Sequence, residues 1–72
     1  MFKFKKDRNF VISYHIISNK LNKKGFGHTY RKEQNGKPLD FNDWHSSTVE
    51  YWNEKWETED VSIIVTNIFE NK

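Results

Sequence analysis

The chain has 72 residues, with 12 Lys/Arg against 10 Asp/Glu for a formal net charge of +2, no Cys, one Pro and three Gly. This allows one small domain and excludes a two-lobed enzyme, a disulfide framework, a thiolate zinc site, a cysteine nucleophile and a Gly/Pro-rich linker. Only 35% of residues are hydrophobic but 17% are aromatic, and rings that each bury about 150–250 Å² can give a core to a domain that hides only roughly 60% of its unfolded surface.

Residues 1–9 read as a basic lead-in, and 10–72 as a single domain. Phe2-Lys3-Phe4-Lys5-Lys6 carries charge but no apolar run of signal-peptide length. Phe10-Val11-Ile12 and Ile63-Ile64-Val65 are far too short to span a bilayer. The expectation is a cytoplasmic protein without a membrane partner.

Residues 10–18 are rich in β-branched and aromatic types and predict a first strand. Phe10, Ile12, Tyr14 and Ile16 share one face at period two, with Val11, Ser13, His15 and Ile17 on the other. Apolar residues on both faces suit a central strand. A polar basic loop over 19–24 leads to a second strand from Gly25, in which Phe26, His28 and Tyr30 alternate with Gly27, Thr29 and Arg31. Gln34-Asn35-Gly36-Lys37-Pro38 is turn chemistry: Asn-Gly tolerates positive φ and Pro ends pairing.

Residues 40–57 predict an amphipathic helix with Asp40 as N-cap. Phe41, His45, Thr48, Trp52 and Trp56 form its apolar stripe, flanked by Trp44, Val49 and Tyr51. Residues 61–69 predict a third strand. The fold class is therefore α+β: a single ββαβ domain whose three-stranded antiparallel sheet has the order 2-1-3, with one helix packed on one face.

One helix covers one face of such a sheet. Phe10, Ile12, Tyr14, Ile16, Phe26, His28 and Tyr30 are expected beneath it. Val11, His15, Ile17, Ile64 and Ile68 are expected on the opposite face, which is too apolar to be fully solvated. Such a patch marks an interface. The expected partner is a second copy, most simply in a symmetric homodimer, or another protein. The alternative cover for that face is the segment 1–8, with Phe2 and Phe4 as plugs.

His15, His28 and His45 are the available neutral-pH acid–base groups. They stand in no metal or triad spacing, and His28 with His45 could meet near the helix start. No catalytic, metal or cofactor site is expected. Charge is unevenly spread: residues 1–37 hold ten Lys/Arg and two acids, a formal +8, and residues 38–72 hold two Lys and eight acids, −6. Within one small fold the halves can neutralise each other. Otherwise Lys20, Lys23, Lys24, Arg31 and Lys32, with the basic residues before Asn9, could follow phosphates while Tyr30 or Phe26 stacks on bases. A nucleotide held between Trp44 or Tyr51 and these lysines is a variant of that reading. In a third, Asp43, Glu50, Glu54, Glu57 and Glu59 imitate a phosphate track.

Phe10-Val-Ile-Ser-Tyr14, Gly25-Phe-Gly-His-Thr29, Lys37-Pro-Leu39, one amphipathic helix and Val61-Ser-Ile-Ile-Val65 ending in Phe69-Glu70 resemble a group of short proteins of bacteriophages and integrative elements of Gram-positive bacteria. The likeness spans about residues 10–70. The Trp-rich helix departs from the charged, Ile/Leu-rich helix usual in that group. The resemblance implies an accessory protein of a mobile element, in the host cytoplasm, acting on a host protein or defence component and carrying no established activity.

Overall fold

A computed structural model describes residues 6–71. Its elements are β1 (Arg8–Ser18), β2 (Lys23–Glu33), a short 3-10 turn (Gln34–Gly36), α1 (Phe41–Lys55) and β3 (Ser62–Asn71). The sheet is antiparallel in the order β2-β1-β3. Strand β1 begins at Arg8, two residues before its expected start, because Arg8 pairs with Glu33 across the sheet and its guanidinium holds both carboxylate oxygens of Glu70 at 2.8–2.9 Å. Phe2 and Phe4, the candidate plugs, lie outside the described residues.

The turns follow local chemistry. Asn35 and Gly36 both take positive φ, as an Asn-Gly pair permits. Residues 19–22 turn β1 into β2, with Asn22 at φ 50 and its N–H on the Asn19 carbonyl. Asp40 caps α1: its Oδ1 accepts the Asp43 N–H at 3.1 Å. At the other end the Thr58 N–H returns to the Asn53 carbonyl, closing a Schellman-type turn with Glu57 at φ 53.

The core lies between α1 and one face of the sheet. It consists of Phe10, Ile12, Tyr14, Ile16, Trp44, Val61 and Ile63, backed by Leu39, Val49, Trp52, Trp56 and Val65. Of the expected helix stripe Thr48 is buried, but the other buried residue comes from its flank. Trp44 is buried, whereas Trp52 and Trp56 are half-buried and Phe41 is exposed. The reason is the strand beneath: the Trp44 indole fits over β2 and donates to Thr29 Oγ1 at 2.8 Å.

That fit requires β2 to turn its small residues inward. The register pairs Tyr14 with Gly27 and Ile16 with Gly25, so Gly25, Gly27 and Thr29 face the helix. Gly27 gives the Tyr14 ring its room, since a Cβ there would stand 3.3 Å from the Tyr14 hydroxyl and the ring would have to give by a few tenths of an ångström. Phe26, His28 and Tyr30 consequently lie on the other face, against expectation. The parity of the 19–22 turn decides this, because a slip of one residue moves every side chain of a strand to the opposite face.

Strand β3 contains a second parity change. Tyr14 pairs with Val65 but Ser13 pairs with Asn67, which leaves Thr66 as a bulge. Simple alternation puts Ile64 and Ile68 together. The bulge separates them: Ile64 stands opposite His15 on the open face, and Ile68 stands opposite Ile12 on the helix side.

One tether between loops is invisible in the sequence pattern. The carboxylate of Asp60 accepts from Ser18 Oγ at 2.6 Å, from the Lys20 N–H at 2.8 Å and from Thr58 Oγ1 at 2.8 Å. Ser18 in turn accepts the Leu21 N–H. The β1–β2 turn is thereby fastened to the segment that enters β3. Hydrogen bonds from the Ser18 hydroxyl and the Lys20 amide, in that order, lower the Asp60 pKa to about 2.

Candidate binding surface

The face of the sheet away from α1 carries five cross-strand rows. From one end they read Lys32–Asn9–Asn71, Tyr30–Val11–Phe69, His28–Ser13–Asn67, Phe26–His15–Ile64 and Lys24–Ile17–Ser62. No element among the described residues packs over them. Phe26 is 85% exposed, Tyr30 78%, Phe69 55% and Ile64 52%. Strands about 4.8 Å apart and rows about 6.8 Å apart put these four residues at the corners of one area, with half-buried Val11 and exposed His15 between them. Ile17 continues the patch by one row.

Four of the five candidate interface residues are therefore together: Val11, His15, Ile17 and Ile64. Ile68 is not among them. In its place the structure adds Phe26, His28, Tyr30 and Phe69. The sequence did contain a clue to these: a helix with three indoles needs a small-residue strand beneath it, and the Gly25, Gly27, Thr29 set supplies one.

The candidate phosphate contacts separate. Lys24, Lys32 and Tyr30 are on the open face, and Lys20 is exposed in the adjoining turn. Lys23 points to the helix side, with its Nζ 4.5 Å from the Trp56 ring centroid. Arg31 is also on that side, held at 2.9 Å by both Glu33 and Asp43. None of the five rows contains an Asp or Glu. The carboxylate of Asp7 reaches the end row, 3.7 Å from Lys32 Nζ.

The histidines do not meet. His28 is on the open face, with its ring edge-on to Tyr30 at 6.0 Å. His45 is on the helix, with Nε2 3.0 Å from the Ile63 carbonyl. That carbonyl can only accept, so Nε2 carries the proton. Among the described residues no three His, Asp or Glu side chains gather as a metal ion would require. No helix among them is long and apolar enough to cross a membrane.

A concavity with a volume of about 390 Å³ opens between α1 and β2, lined by Tyr14, Thr29, Arg31, Trp44, Tyr51 and Trp52 among others. It exists because β2 presents glycine and threonine to a helix carrying large rings. Glu33, which receives the Asp40 N–H and the Arg31 guanidinium, is held below its ordinary pKa by those bonds at the groove's end.

Comparison with protein-family models, curated proteins and solved structures yields no match. Any function must therefore be argued from the surfaces themselves.

Proposed function

We propose that the protein is a non-catalytic binding module that works by protein–protein contact through the open face of its sheet, with a second copy or with another protein. The supporting observation is the pair of uncovered apolar rows, Tyr30–Val11–Phe69 and Phe26–His15–Ile64 with Ile17 beyond, which flank the polar row His28–Ser13–Asn67 and whose three rings are all more than half exposed. The lysines stand only in the two end rows, where an interface has its polar rim. Burial of such a patch is favourable in proportion to the apolar area removed from water. A role as a phage or mobile-element accessory protein belongs to the same proposal and rests on the short motifs quoted above.

The test is a pair of charge insertions, Phe26→Asp and Ile64→Asp. Both should keep the wild-type circular dichroism spectrum and melting temperature, because neither residue is in the core. Both should abolish self-association in sedimentation equilibrium, or capture of a purified partner. Unchanged mass and unchanged capture in both variants would overturn the proposal.

A second reading has one observation in its favour: the five rows hold Lys24 and Lys32 but no acid, so single-stranded nucleic acid could lie across the rings without repulsion. Salt separates the two. With Lys20, Lys24 and Lys32 as the phosphate contacts, affinity for a single strand should fall roughly 20-fold between 50 and 200 mM salt. An apolar protein interface should scarcely change over that range.

A further inference from the structure

The groove between α1 and β2 contains two hydroxyl groups in an unusual bonding state. Trp52 Nε1 donates to the Tyr14 hydroxyl at 3.2 Å, and Trp44 Nε1 donates to Thr29 Oγ1 at 2.8 Å. An indole N–H can only donate, so both hydroxyls act as acceptors in these bonds. Each still has its own O–H to give, and neither finds an acceptor among the described residues. Accepting a hydrogen bond polarises an O–H and makes it a better donor. The groove thus offers two strengthened donors within a wall of rings.

Electrostatics narrows the ligand. Arg31 is already shared between Glu33 and Asp43 at 2.9 Å each, so it has little to offer a phosphate, and its two carboxylates repel one. A cationic ligand is disfavoured as well, because Lys55 Nζ is 5.4 Å from the Trp52 ring centroid and 5.7 Å from that of Tyr51. The accessible rings of Trp52 and Tyr51 favour a flat apolar body, and the volume of about 390 Å³ falls in the range typical of small-ligand sites.

We propose that this groove binds a neutral planar heteroaromatic ligand of nucleobase type, with ring acceptor atoms taking the Tyr14 and Thr29 hydroxyl protons and its face against Trp52 or Tyr51. The site shares only Tyr30, at the β2 edge, with the proposed protein interface, and neither set of variants touches that residue, so either proposal can fail without the other.

The experiment is titration of the full chain with adenosine, adenosine monophosphate and naphthalene, followed through the indole Nε1–H and backbone amide resonances. Adenosine should shift the Trp44 and Trp52 signals saturably at sub-millimolar concentration. The Trp56 signal should move less than these two, since that ring stands over Gly25 and touches Trp52 without lining the groove. The monophosphate should bind no more tightly than the nucleoside, and naphthalene, which lacks acceptors, should bind at least tenfold more weakly. Thr29→Val should weaken adenosine about tenfold, the equivalent of one hydrogen bond of about 1.4 kcal/mol, and Thr29→Ser should restore it. The proposal is overturned if no saturable shift of Trp44 and Trp52 occurs, if the shifts centre on His28 and Phe69, if naphthalene matches adenosine, or if Thr29→Val binds adenosine like the wild type.

Discussion

The two faces of the sheet are made by the same three strands, and they follow opposite rules. On the helix side β1 contributes Phe10, Ile12, Tyr14 and Ile16, all buried, while β2 contributes little more than Gly25, Gly27 and Thr29. On the open side β1 contributes modest residues, and the edge strands supply the rings of Phe26, Tyr30 and Phe69. Bulk is central where a helix must be packed and peripheral where nothing covers the sheet. Charge divides in the same way, since the acids gather with α1 and its loops while the five open rows have none. The lesson is that aromatic content alone does not locate a core. Three of the five Phe and Tyr rings in the strands, Phe26, Tyr30 and Phe69, are held out of it by pairing parity.

The sharpest contrast between the faces is in stability. Trp44→Ala removes a buried indole and should cost about 3–5 kcal/mol. A domain of this size has only about 4–11 kcal/mol in total, at roughly 0.05–0.15 per residue, so urea melts should show it largely unfolded or close to it. Phe26→Ala, an equally dramatic truncation by sequence, should stay within about 0.5 kcal/mol of wild type. Equal losses for the two would erase the distinction.

Strand β2 allows a test within three residues. Gly27→Val places a branched side chain against the Tyr14 hydroxyl and should destabilise by about 1–3 kcal/mol through overpacking. His28→Val, one position along and on the other face, should leave the denaturation midpoint near wild type. The reverse order would mean that β2 presents its other face to the helix.

The loop tether gives a smaller effect with a pH signature. Ser18→Ala should cost about 1–2 kcal/mol by removing a buried hydroxyl that serves both Asp60 and Leu21. The Asp60 pKa is depressed from 3.8 to about 2 in the fold. Its contribution is therefore complete above about pH 4 and is lost as pH falls through about 2. Thermal melts from pH 5 to pH 2 should show this loss, and Asp60→Asn should flatten it. The smallest change expected is a stabilising one. Glu57 occupies the left-handed region at φ 53, so Glu57→Gly should raise stability by up to about 1 kcal/mol in the same melts.

Several features were legible in the residues by themselves. Period-two alternation marked β1, and spacings of three and four marked α1. Asp40 announced the cap, and Asn35-Gly36 the turn. Each of these is set by the conformational preferences of neighbouring residues, which is why short windows of sequence carry them. The strand order followed too, because a short chain with one crossover has few arrangements open to it.

What the tertiary structure alone decided was which face each strand presents, and with that the composition of both candidate sites. The turn over 19–22 turned Phe26 and Tyr30 outward, the bulge at Thr66 exchanged Ile68 for Phe69, and the glycine face of β2 opened a groove beneath Trp44 and Trp52. None of these follows from periodicity, because a strand's period is the same whichever way it faces. Face is chosen only when the indoles of the helix, the ring of Tyr14 and the small residues of β2 must share one volume, and only one choice of face leaves them room.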